Sequence, residues 1–366
     1  MACELDPLIA AAKPGDVIQL NSGLYYTDGC DGYPNPTGVV IPSGVKLAGA
    51  GKLRTIIKFR RKDLLDRQWL ALYGKGDGIT ISDLSVDCGP VAPGWPHKIC
   101  GIVTDGSSLS ILNCNVVRPY GLVASDNEGF AITMLSGTNH TVQGCSIHSV
   151  QGDYVTGITM RNGIITGNNI VFPPRPAVVT PGLFWSGINP GTSVGVEASF
   201  NVVTNGVNGF YTDTGTSTLL NVHDNIFNNV ACGVHINMQD AGPSQVEQGV
   251  SNSLFADNRI VLDTGWGWSC AVLLDNTVAP YDANAVTAKN WISNIKFERL
   301  EALAVTGGPI AMANIASQVK AGANIGIRDI TFKSCVYPAG STWRNMGGNA
   351  TGLSVSNDVD PGWTTQ

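Results

Sequence analysis

Three stretches of the chain read alike and decide the fold: Ile-Thr-Gly-Asn-Asn-Ile at 165–170, Val-His-Asp-Asn-Ile-Phe at 222–227 and Phe-Ala-Asp-Asn-Arg-Ile at 255–260. Each has apolar residues at both ends and an Asn at the fourth position. Weaker copies elsewhere have Cys, Leu or Ile in place of the Asn, and the closest two copies, at Cys145 and Asn168, are 23 residues apart. A repeat of this length is typical of a solenoid, in which each coil buries its apolar face only against its neighbours.

A second phrase comes before most of these copies and has the alternation of a β-strand. It begins with Gly and continues with apolar and polar residues in turn, as in Gly-Ile-Val-Thr-Asp at 101–105 and Gly-Val-His-Ile-Asn at 233–237. Alternation with a period of two places one face of a strand inward and the other outward. Each coil is therefore predicted to contain three strands that stack on those of the next coil, which is an all-β fold.

The Asn residues of the first phrase are predicted to be structural and not catalytic. They would point inward at the same turn of successive coils, where buried backbone needs hydrogen-bond partners and an Asn side chain offers both a donor and an acceptor. Cys114 and Cys145 occupy the same inward position and are expected to be buried thiols. The predicted column consists of Asn168, Asn201, Asn225 and Asn258.

The opening of the chain carries a further signature. Lys-Pro-Gly-Asp-Val-Ile at 13–18, followed by Val-Ile-Pro-Ser-Gly-Val-Lys-Leu-Ala-Gly-Ala-Gly at 40–51, resembles the start of proteins of the pectin-lyase-like superfamily. The resemblance implies a single-stranded right-handed parallel β-helix of about ten coils with a short N-terminal capping helix. It implies one domain over 1–366, with 1–20 as the N-terminal cap and first strand and 336–366 as the C-terminal cap. It does not fix an activity, because one fold hosts many chemistries.

The composition excludes several classes of partner. The net charge of -6 disfavours nucleic acid, which needs a basic face. The sequence contains no run of 18 or more apolar residues, so no membrane span is predicted. Asp105, Asp213 and Asp275 do not cluster on adjacent coils, so we expect no metal site. We expect no cofactor either. The N-terminus lacks a signal sequence, so we expect an extracellular or periplasmic location if a signal peptide has been removed, and otherwise a cytoplasmic or virion location.

The resemblance also implies a sugar groove along one face of the solenoid. The Gly-led strands from 101–105 to 271–275 would form its floor, with outward residues of adjacent coils about 4.8 Å apart. Tyr211 and His235 would stack as direct neighbours in one column. The other outward polar residues expected in the groove are Arg161, Asn189, Asp213, Asn237 and Asp275.

Our first hypothesis is a polysaccharide lyase that cleaves an acidic polysaccharide by β-elimination. His235 would remove the proton at C5 of a uronate, Tyr211 would protonate the leaving oxygen and Arg161 would neutralise the carboxylate. Asp213 and Asn237 would orient these groups. An outward Tyr beside a His can equally be a cross-strand packing pair, and Arg161 could pair with a loop carboxylate instead.

A second hypothesis is an inverting glycoside hydrolase that uses Asp213 and Asp275. Two coils separate them, so their backbones would be roughly 9.6 Å apart, which approaches the carboxyl separation of about 6.5–9.5 Å in inverting enzymes. Both aspartates could instead shape their turns. The motifs of pectate lyases, polygalacturonases and mannuronan epimerases are absent from the sequence, so none of those activities is transferred.

Substrate contacts are expected from the groove and from its loops. Asn189, Asn237 and Asp275 would bind the polysaccharide. Trp185, Trp266 and Trp268 could be sugar platforms, since flat aromatic rings suit the apolar faces of pyranose rings, or they could pack the loops onto the solenoid.

A third hypothesis is non-enzymatic. The chain would be a phage-type spike or a glycan-binding structural protein, for which a homotrimer is an expected assembly. The odd number of cysteines and the absent signal sequence favour this hypothesis, because virion proteins are made in a reducing cytosol. The polar groove favours the two enzymes.

Overall fold

The computed structural model forms two compact units, Met1–Ile188 and Asn189–Gln366, and each is described by itself. Whether the chain is one domain, as the sequence predicts, stays a prediction. The described residues are 3–31, 37–60, 68–91, 97–122, 124, 128–179, 182–213, 216–238, 248–276, 290–317, 326–345, 350–356 and 364–365.

Both units are parallel β-helices, so the fold predicted from the repeat is confirmed. In each coil the chain passes through up to three main strands, and each of these pairs in parallel with its counterpart in the next coil. The strands thereby form three sheets, which we name A, B and C. The short strands Cys30–Asp31, Thr37–Gly38 and Tyr120–Gly121 of sheet C also make antiparallel pairs.

The first unit contributes the following strands. Sheet A contains Cys3–Glu4, Gly23–Thr27, Thr55–Phe59, Ser85–Asp87, Asn115–Val117, Ser146–His148 and Asn169–Val171. Sheet B contains Val17–Gln19, Lys46–Ala48, Thr80–Ser82, Ser110–Leu112, His140–Gln143 and Gly163–Thr166. Sheet C contains Cys30–Asp31, Thr37–Gly38, Val40–Ile41, Trp69–Lys75, Ile99–Asp105, Tyr120–Gly121, Gly129–Met134, Gln151–Gly152, Tyr154–Met160 and Phe184–Asn189, the last of which ends at the first residue of the second unit.

The second unit repeats the arrangement. Sheet A contains Val202–Thr204, Ile226–Val230, Arg259–Leu262 and Glu301–Ala304. Sheet B contains Glu197–Ser199, Thr216–Thr218, Asn221–His223, Gln248–Ala256, Asn290–Glu298, Gly326–Lys333 and Ala350–Ser356. Sheet C contains Asn208–Thr212, Cys232–Asn237, Cys270–Asn276, Ala311–Ser317, Thr342–Asn345 and Thr364–Thr365. A 3₁₀-helix covers Thr264–Trp266.

The core of each unit consists of apolar side chains stacked from coil to coil. In sheet B of the second unit, Phe255, Phe297 and Phe332 are in register and their rings stack with centroids 5.1 and 4.7 Å apart. Burial of such aligned side chains is the main favourable term in a solenoid, because no single coil can bury its own apolar face. The corresponding stack of the first unit is Leu47, Ile81, Ile111, Val142 and Ile165, all of them fully buried.

The turn from sheet B to sheet A has two residues and is the same in nearly every coil. The first residue of the turn has a positive φ near 50 to 65°, which is the left-handed region that Gly, Asn and Asp occupy most easily. The second residue points inward. The left-handed residues are Asp83, Asn113, Gly144, Gly167, Phe200, Asp224, Asp257, Arg299 and Ser334.

The inward position of this turn carries the predicted asparagine ladder, which is confirmed. In the second unit, the Nδ2 atom of Asn201 donates to Oδ1 of Asn225 (2.9 Å), and Nδ2 of Asn225 donates to Oδ1 of Asn258 (2.9 Å). In the first unit, Asn168 accepts from the backbone N–H of Cys145 (2.9 Å). All four side chains are buried, and so is Cys114, as expected. The ladder ties each turn to the next where water cannot serve as a partner.

The ends of the chain differ from each other. The helix Asp6–Ala11 is the predicted N-terminal cap, and its Ile9 is buried. Both carboxylate oxygens of Asp6 bind the first coil, by accepting from Oγ1 of Thr27 (2.6 Å) and from the backbone N–H of Asp28 (2.9 Å). Residues 336–366, expected to be a C-terminal cap, contribute three further strands to sheets B and C. None of the helices in the described part of the chain has the length and apolarity needed to cross a bilayer.

The ladder makes Asn225→Ala a costly substitution. Oδ1 of Asn225 accepts from both nitrogen donors of Asn201, its backbone N–H and Nδ2, and Nδ2 of Asn225 also donates to the carbonyl oxygen of Ala198. Loss of these bonds leaves several buried groups unsatisfied, so we expect the free energy of unfolding to fall by about 3 to 5 kcal/mol in urea titrations. The control Cys114→Ala, at the same inward position, should cost about 1 to 2 kcal/mol. Equal losses for the two variants would mean that the position needs only volume.

Candidate functional site

The outward side of sheet C in the second unit carries two columns of side chains, which together we call the site face. In the first column, strand pairing places Tyr211 beside His235, His235 beside Leu273, Leu273 beside Asn314, and Asn314 beside Arg344. The second column contains Asn237 beside Asp275, with Asp213 following the strand that precedes Asn237. The parallel register aligns in one column residues that are up to 133 positions apart in sequence, from Tyr211 at one end to Arg344 at the other.

Tyr211 and His235 form a closely packed pair. Their rings meet edge to face, with centroids 5.0 Å apart and an interplanar angle of 74°. Tyr211 is buried, and its hydroxyl accepts a hydrogen bond from Nδ2 of Asn237 (3.0 Å). Nδ1 of His235 lies 3.1 Å from Oδ1 of Asn208, an acceptor, so the proton of the neutral ring resides on Nδ1. These contacts give the pair a packing role whatever else it does.

The second ring nitrogen of His235 has no partner. Its Nε2 atom has no contact with solvent and no hydrogen-bond partner in the described structure, although other atoms of the side chain are partly exposed. Burial lowers the pKa of His235 to about 3, because a charged ring would lose its hydration. The imidazole is therefore neutral at ordinary pH and holds a proton weakly. A substrate could meet Nε2 only after the surrounding side chains had moved.

The carboxylates of the second column lie in a more open environment. Asp275 and Asn237 are partly exposed neighbours on paired strands, and Asp213 is partly exposed as well. The two aspartates lie two strands (two rungs) apart in sheet C, with the strand of Asn237 between them. Their backbones are therefore about 9.6 Å apart at the usual strand spacing. The carboxyl groups can lie closer together than the backbones, because rotation about χ1 and χ2 can tilt each side chain toward the strand between them.

Arg161 and Asn189 do not share a described contact with these residues. Arg161 is an exposed residue that follows the strand Tyr154–Met160 in the first unit. Asn189 is buried, and its Oδ1 accepts from the backbone N–H of Gly191 (2.8 Å), so the side chain holds a turn. Their roles toward a substrate stay predictions.

The three tryptophans divide into two that pack and one that is accessible. Trp185 is buried, its ring stacks on Phe172 at 6.0 Å and its Nε1 donates to the carbonyl oxygen of Gly152 (3.2 Å). Trp266 is buried in the loop 263–269. A sugar ring cannot stack on either of them in this conformation, so the packing alternative holds for both. Trp268 is 43% exposed and is the tryptophan of the three that can serve as a platform.

The expected floor of the groove is covered in the first unit. Val103, which the repeat places on the outward face, is only 3% exposed because it packs with Tyr73, Cys100 and Cys30. Val40 lies against the same cluster. The segment that contains Cys30 and Val40 therefore covers this end of sheet C, and the expectation of an open groove from 101–105 onward is wrong there. This cover could not be predicted from the sequence, because short strands in a loop have no repeat of their own.

Two residues of the site face were not anticipated from the sequence, Asn314 and Arg344. Their strands lack the Gly-led phrase, and the column was followed only as far as Leu273. The alternation Ala-Met-Ala-Asn-Ile at 311–315 is the signal that could have extended it. The described residues contain no group of three or more His, Cys, Asp or Glu side chains placed to hold a metal ion.

Comparison with known proteins gives the fold and not the activity. No family model matches the chain, and no curated protein matches it in sequence. Many solved structures are nevertheless similar, and all of those described below are distant in sequence. The chain has the pectin-lyase-like right-handed β-helix fold.

Three of the similar structures differ in kind. The Dettilon tailspike protein is 17% identical with a TM-score of 0.58 over 92% of this chain, and the chain spans only 62% of its length. The surface protein and adhesin PfbA of Streptococcus pneumoniae is 10% identical with a TM-score of 0.54, covering 99% of this chain and 94% of PfbA. The family 28 exopolygalacturonase of Yersinia enterocolitica is 12% identical with a TM-score of 0.53, covering 99% of this chain and 74% of the enzyme.

The buried imidazole predicts a pH dependence of stability. The folded-state pKa of His235 is about 3 and its ordinary value is 6.5, so the unfolded chain binds the proton more readily between these values. Stability is therefore lost as the pH falls from about 6.5 toward 3. In urea titrations we expect His235→Gln to remove up to about 2 to 3 kcal/mol of the loss that the wild type shows between pH 8 and pH 4.5.

The matched control for this measurement is His148→Gln, at a histidine that stays in contact with solvent. This variant should keep the wild-type loss of stability. If His235→Gln and wild type instead lose the same stability on acidification, His235 is not buried as the structure has it.

Proposed function

We propose that the protein binds a polysaccharide along the site face of the second unit and hydrolyses it with inversion between Asp213 and Asp275. The observation that carries the proposal is the placement of these two partly exposed carboxylates on either side of Asn237, two rungs of sheet C apart. The parallel register of sheet C sets the separation of the two aspartates, and this separation supports an inverting mechanism.

An inverting hydrolase needs two carboxyl groups with a water molecule between one of them and the sugar. One carboxylic acid protonates the leaving oxygen, and the other carboxylate activates the water on the opposite face of the ring, at a separation of about 6.5–9.5 Å. A backbone spacing of about 9.6 Å allows that separation, whereas carboxylates on adjacent rungs would suit a retaining mechanism. Asn237 lies between the two aspartates, where its amide can bind a sugar hydroxyl.

Elimination is the rival mechanism and the structure supports it less. It requires His235 to act as the base, yet Nε2 is out of contact with solvent and burial lowers the pKa of the ring to about 3. Tyr211 would be the acid and Arg161 the neutralising cation. The mechanism would need a rearrangement around His235 before proton transfer.

The comparisons support polysaccharide hydrolysis only in general terms. One similar structure is, by its name, an exopolygalacturonase, so this fold can carry such a reaction. An identity of 12% transfers no residue role to this chain.

The likeness to a tailspike favours a second candidate, a non-enzymatic spike or surface fibre that binds a glycan without cleaving it and assembles as a homotrimer.

Incubation with a panel of acidic and neutral polysaccharides distinguishes the three candidates. The two enzymatic mechanisms give different products, and a spike gives none. We expect new reducing ends without new absorbance near 235 nm. Asp213→Asn and Asp275→Asn should each lower the rate at least about 100-fold, since each removes an acid or base from the transition state. The control Asp329→Asn changes an exposed aspartate of sheet B and should retain the wild-type rate.

Three results would contradict the proposal. New absorbance near 235 nm would show elimination instead. The absence of any product from the whole panel would leave the spike. Full activity in Asp275→Asn would remove the aspartate pair from the chemistry.

A further inference from the structure

A cleft of about 310 Å³ lies at the far end of the site face, inside the second unit. It is formed between the loop 263–269 and the last strands of sheet C, and Trp268, Asn314, Thr342 and Arg344 are among the residues that line it. Its volume is at the lower end of the range for small-molecule sites, about 300–1,000 Å³. Asn314 belongs to the same column as His235, two rungs away, so the cleft continues the site face.

Arg344 supplies a cation that no carboxylate of the described chain neutralises. Arginines on other faces are paired, as Arg259 is with Glu301 (3.1 Å) and Arg299 with Asp257 (2.6 Å). None of the described residues that line the cleft is acidic. The planar guanidinium can bind both oxygens of a carboxylate at once, which makes it the preferred side chain for such groups.

Asn314 supplies an acceptor that lacks a donor. The side chain is 9% exposed, and its Oδ1 has neither solvent contact nor a hydrogen-bond partner in the described structure. Buried polar atoms without partners are uncommon in folded proteins, because desolvation without a hydrogen bond costs free energy. Asn314 sits beside Arg344 on paired strands, and a ligand bound to the guanidinium can reach Oδ1 once the amide of Asn314 rotates toward the cleft. A ligand hydroxyl is the donor that the site lacks.

Trp268 supplies a flat apolar surface that is held in place. Oδ1 of Asp263 accepts from the backbone N–H of Gly265 (2.9 Å), and Oγ of Ser269 donates to the carbonyl oxygen of Asp263 (2.6 Å). The buried Trp266 anchors the same loop, while Trp268 faces the cleft and is 43% exposed. A rigid loop loses little conformational freedom when a ring stacks on its tryptophan.

We propose that this cleft is a binding subsite for a carboxylate-bearing sugar, with Arg344 on the carboxylate, Asn314 on a ring hydroxyl and Trp268 on the apolar face of the ring. An uncharged sugar would leave Arg344 without a counterion, and a bare inorganic anion would leave Trp268 and Asn314 unused. The inference rests on the polysaccharide-binding part of the proposed function and names its substrate class as a uronate-containing chain. It does not depend on cleavage.

Binding is measured by isothermal titration and by tryptophan fluorescence on the Asp275→Asn protein, so that no ligand is consumed. The probes are tri-galacturonate, tri-mannuronate and a hyaluronan tetrasaccharide, with maltotriose and cellotriose as neutral counterparts. We expect at least one uronate probe to bind at least tenfold more tightly than either neutral probe. Arg344→Gln should weaken that binding at least tenfold, and Trp268→Ala should weaken it and abolish the fluorescence change.

Two further variants make the test specific. Arg328→Gln is the matched control, because Arg328 also lies against a tryptophan, 4.4 Å from the ring centroid of Trp291, but outside this cleft. It should bind as the starting protein does. Asn314→Asp places a carboxylate beside Arg344 and should abolish uronate binding while preserving side-chain volume.

Four outcomes would overturn the subsite: no binding of any uronate probe, equal binding of neutral probes, unchanged binding by Arg344→Gln, or displacement by inorganic phosphate and sulfate as effective as by the uronate. Failure of hydrolysis is recognised separately. If a polysaccharide is cleaved but Arg344→Gln binds uronates normally, the subsite alone is wrong. If uronates bind through Arg344 but nothing is cleaved, hydrolysis alone is wrong.

Discussion

The structure depends on the two-residue turn between sheets B and A. Its first residue is held in the left-handed region and its second points inward, so the chain changes direction by the same amount in each coil. The hydrogen bonds from Asn201 to Asn225 and from Asn225 to Asn258 then lock successive turns in register. A slip of one residue would bury the outward residues and expose the apolar ones. This turn therefore determines which residues of each strand face outward.

This constraint explains which parts of the molecule a sequence can predict. The turn recurs, so the strands, the inward asparagines and the buried Cys114 could be read from residue types alone. The pairing of Tyr211 with His235 follows from the same register. The cover over Val103 could not be read, since the segment around Cys30 and Val40 has no counterpart in other coils. The burial of Trp185 and Trp266 could not be predicted from the sequence either, because an aromatic residue in a loop can equally be packed against the protein or exposed to solvent.

The outward side of sheet C has a different environment in each of the two units. In the first unit, Tyr73 and Val103 lie under Cys30, and that end of sheet C is part of a second core. In the described part of the second unit, His235 and Asn314 each have a buried polar atom without a hydrogen-bond partner, as Thr133 and Thr159 have in the first unit, and Asp213 and Asp275 are partly exposed. Unpartnered buried polar atoms lower stability, because desolvation without a hydrogen bond costs free energy.

The ladder also limits the chemistry that such a face can perform. Residues in one column can be separated only by multiples of about 4.8 Å, so the choice of rung sets the distance between two functional groups. Asp213 and Asp275 are two rungs apart, which leaves room for a water molecule between a carboxylate and a sugar. Asn314 and Arg344 are one rung apart, which suits two contacts with a single ring. Exchanging residues on fixed rungs changes the reaction and leaves the turns unchanged, so proteins that share as little as 10 to 17% of their residues can share this fold.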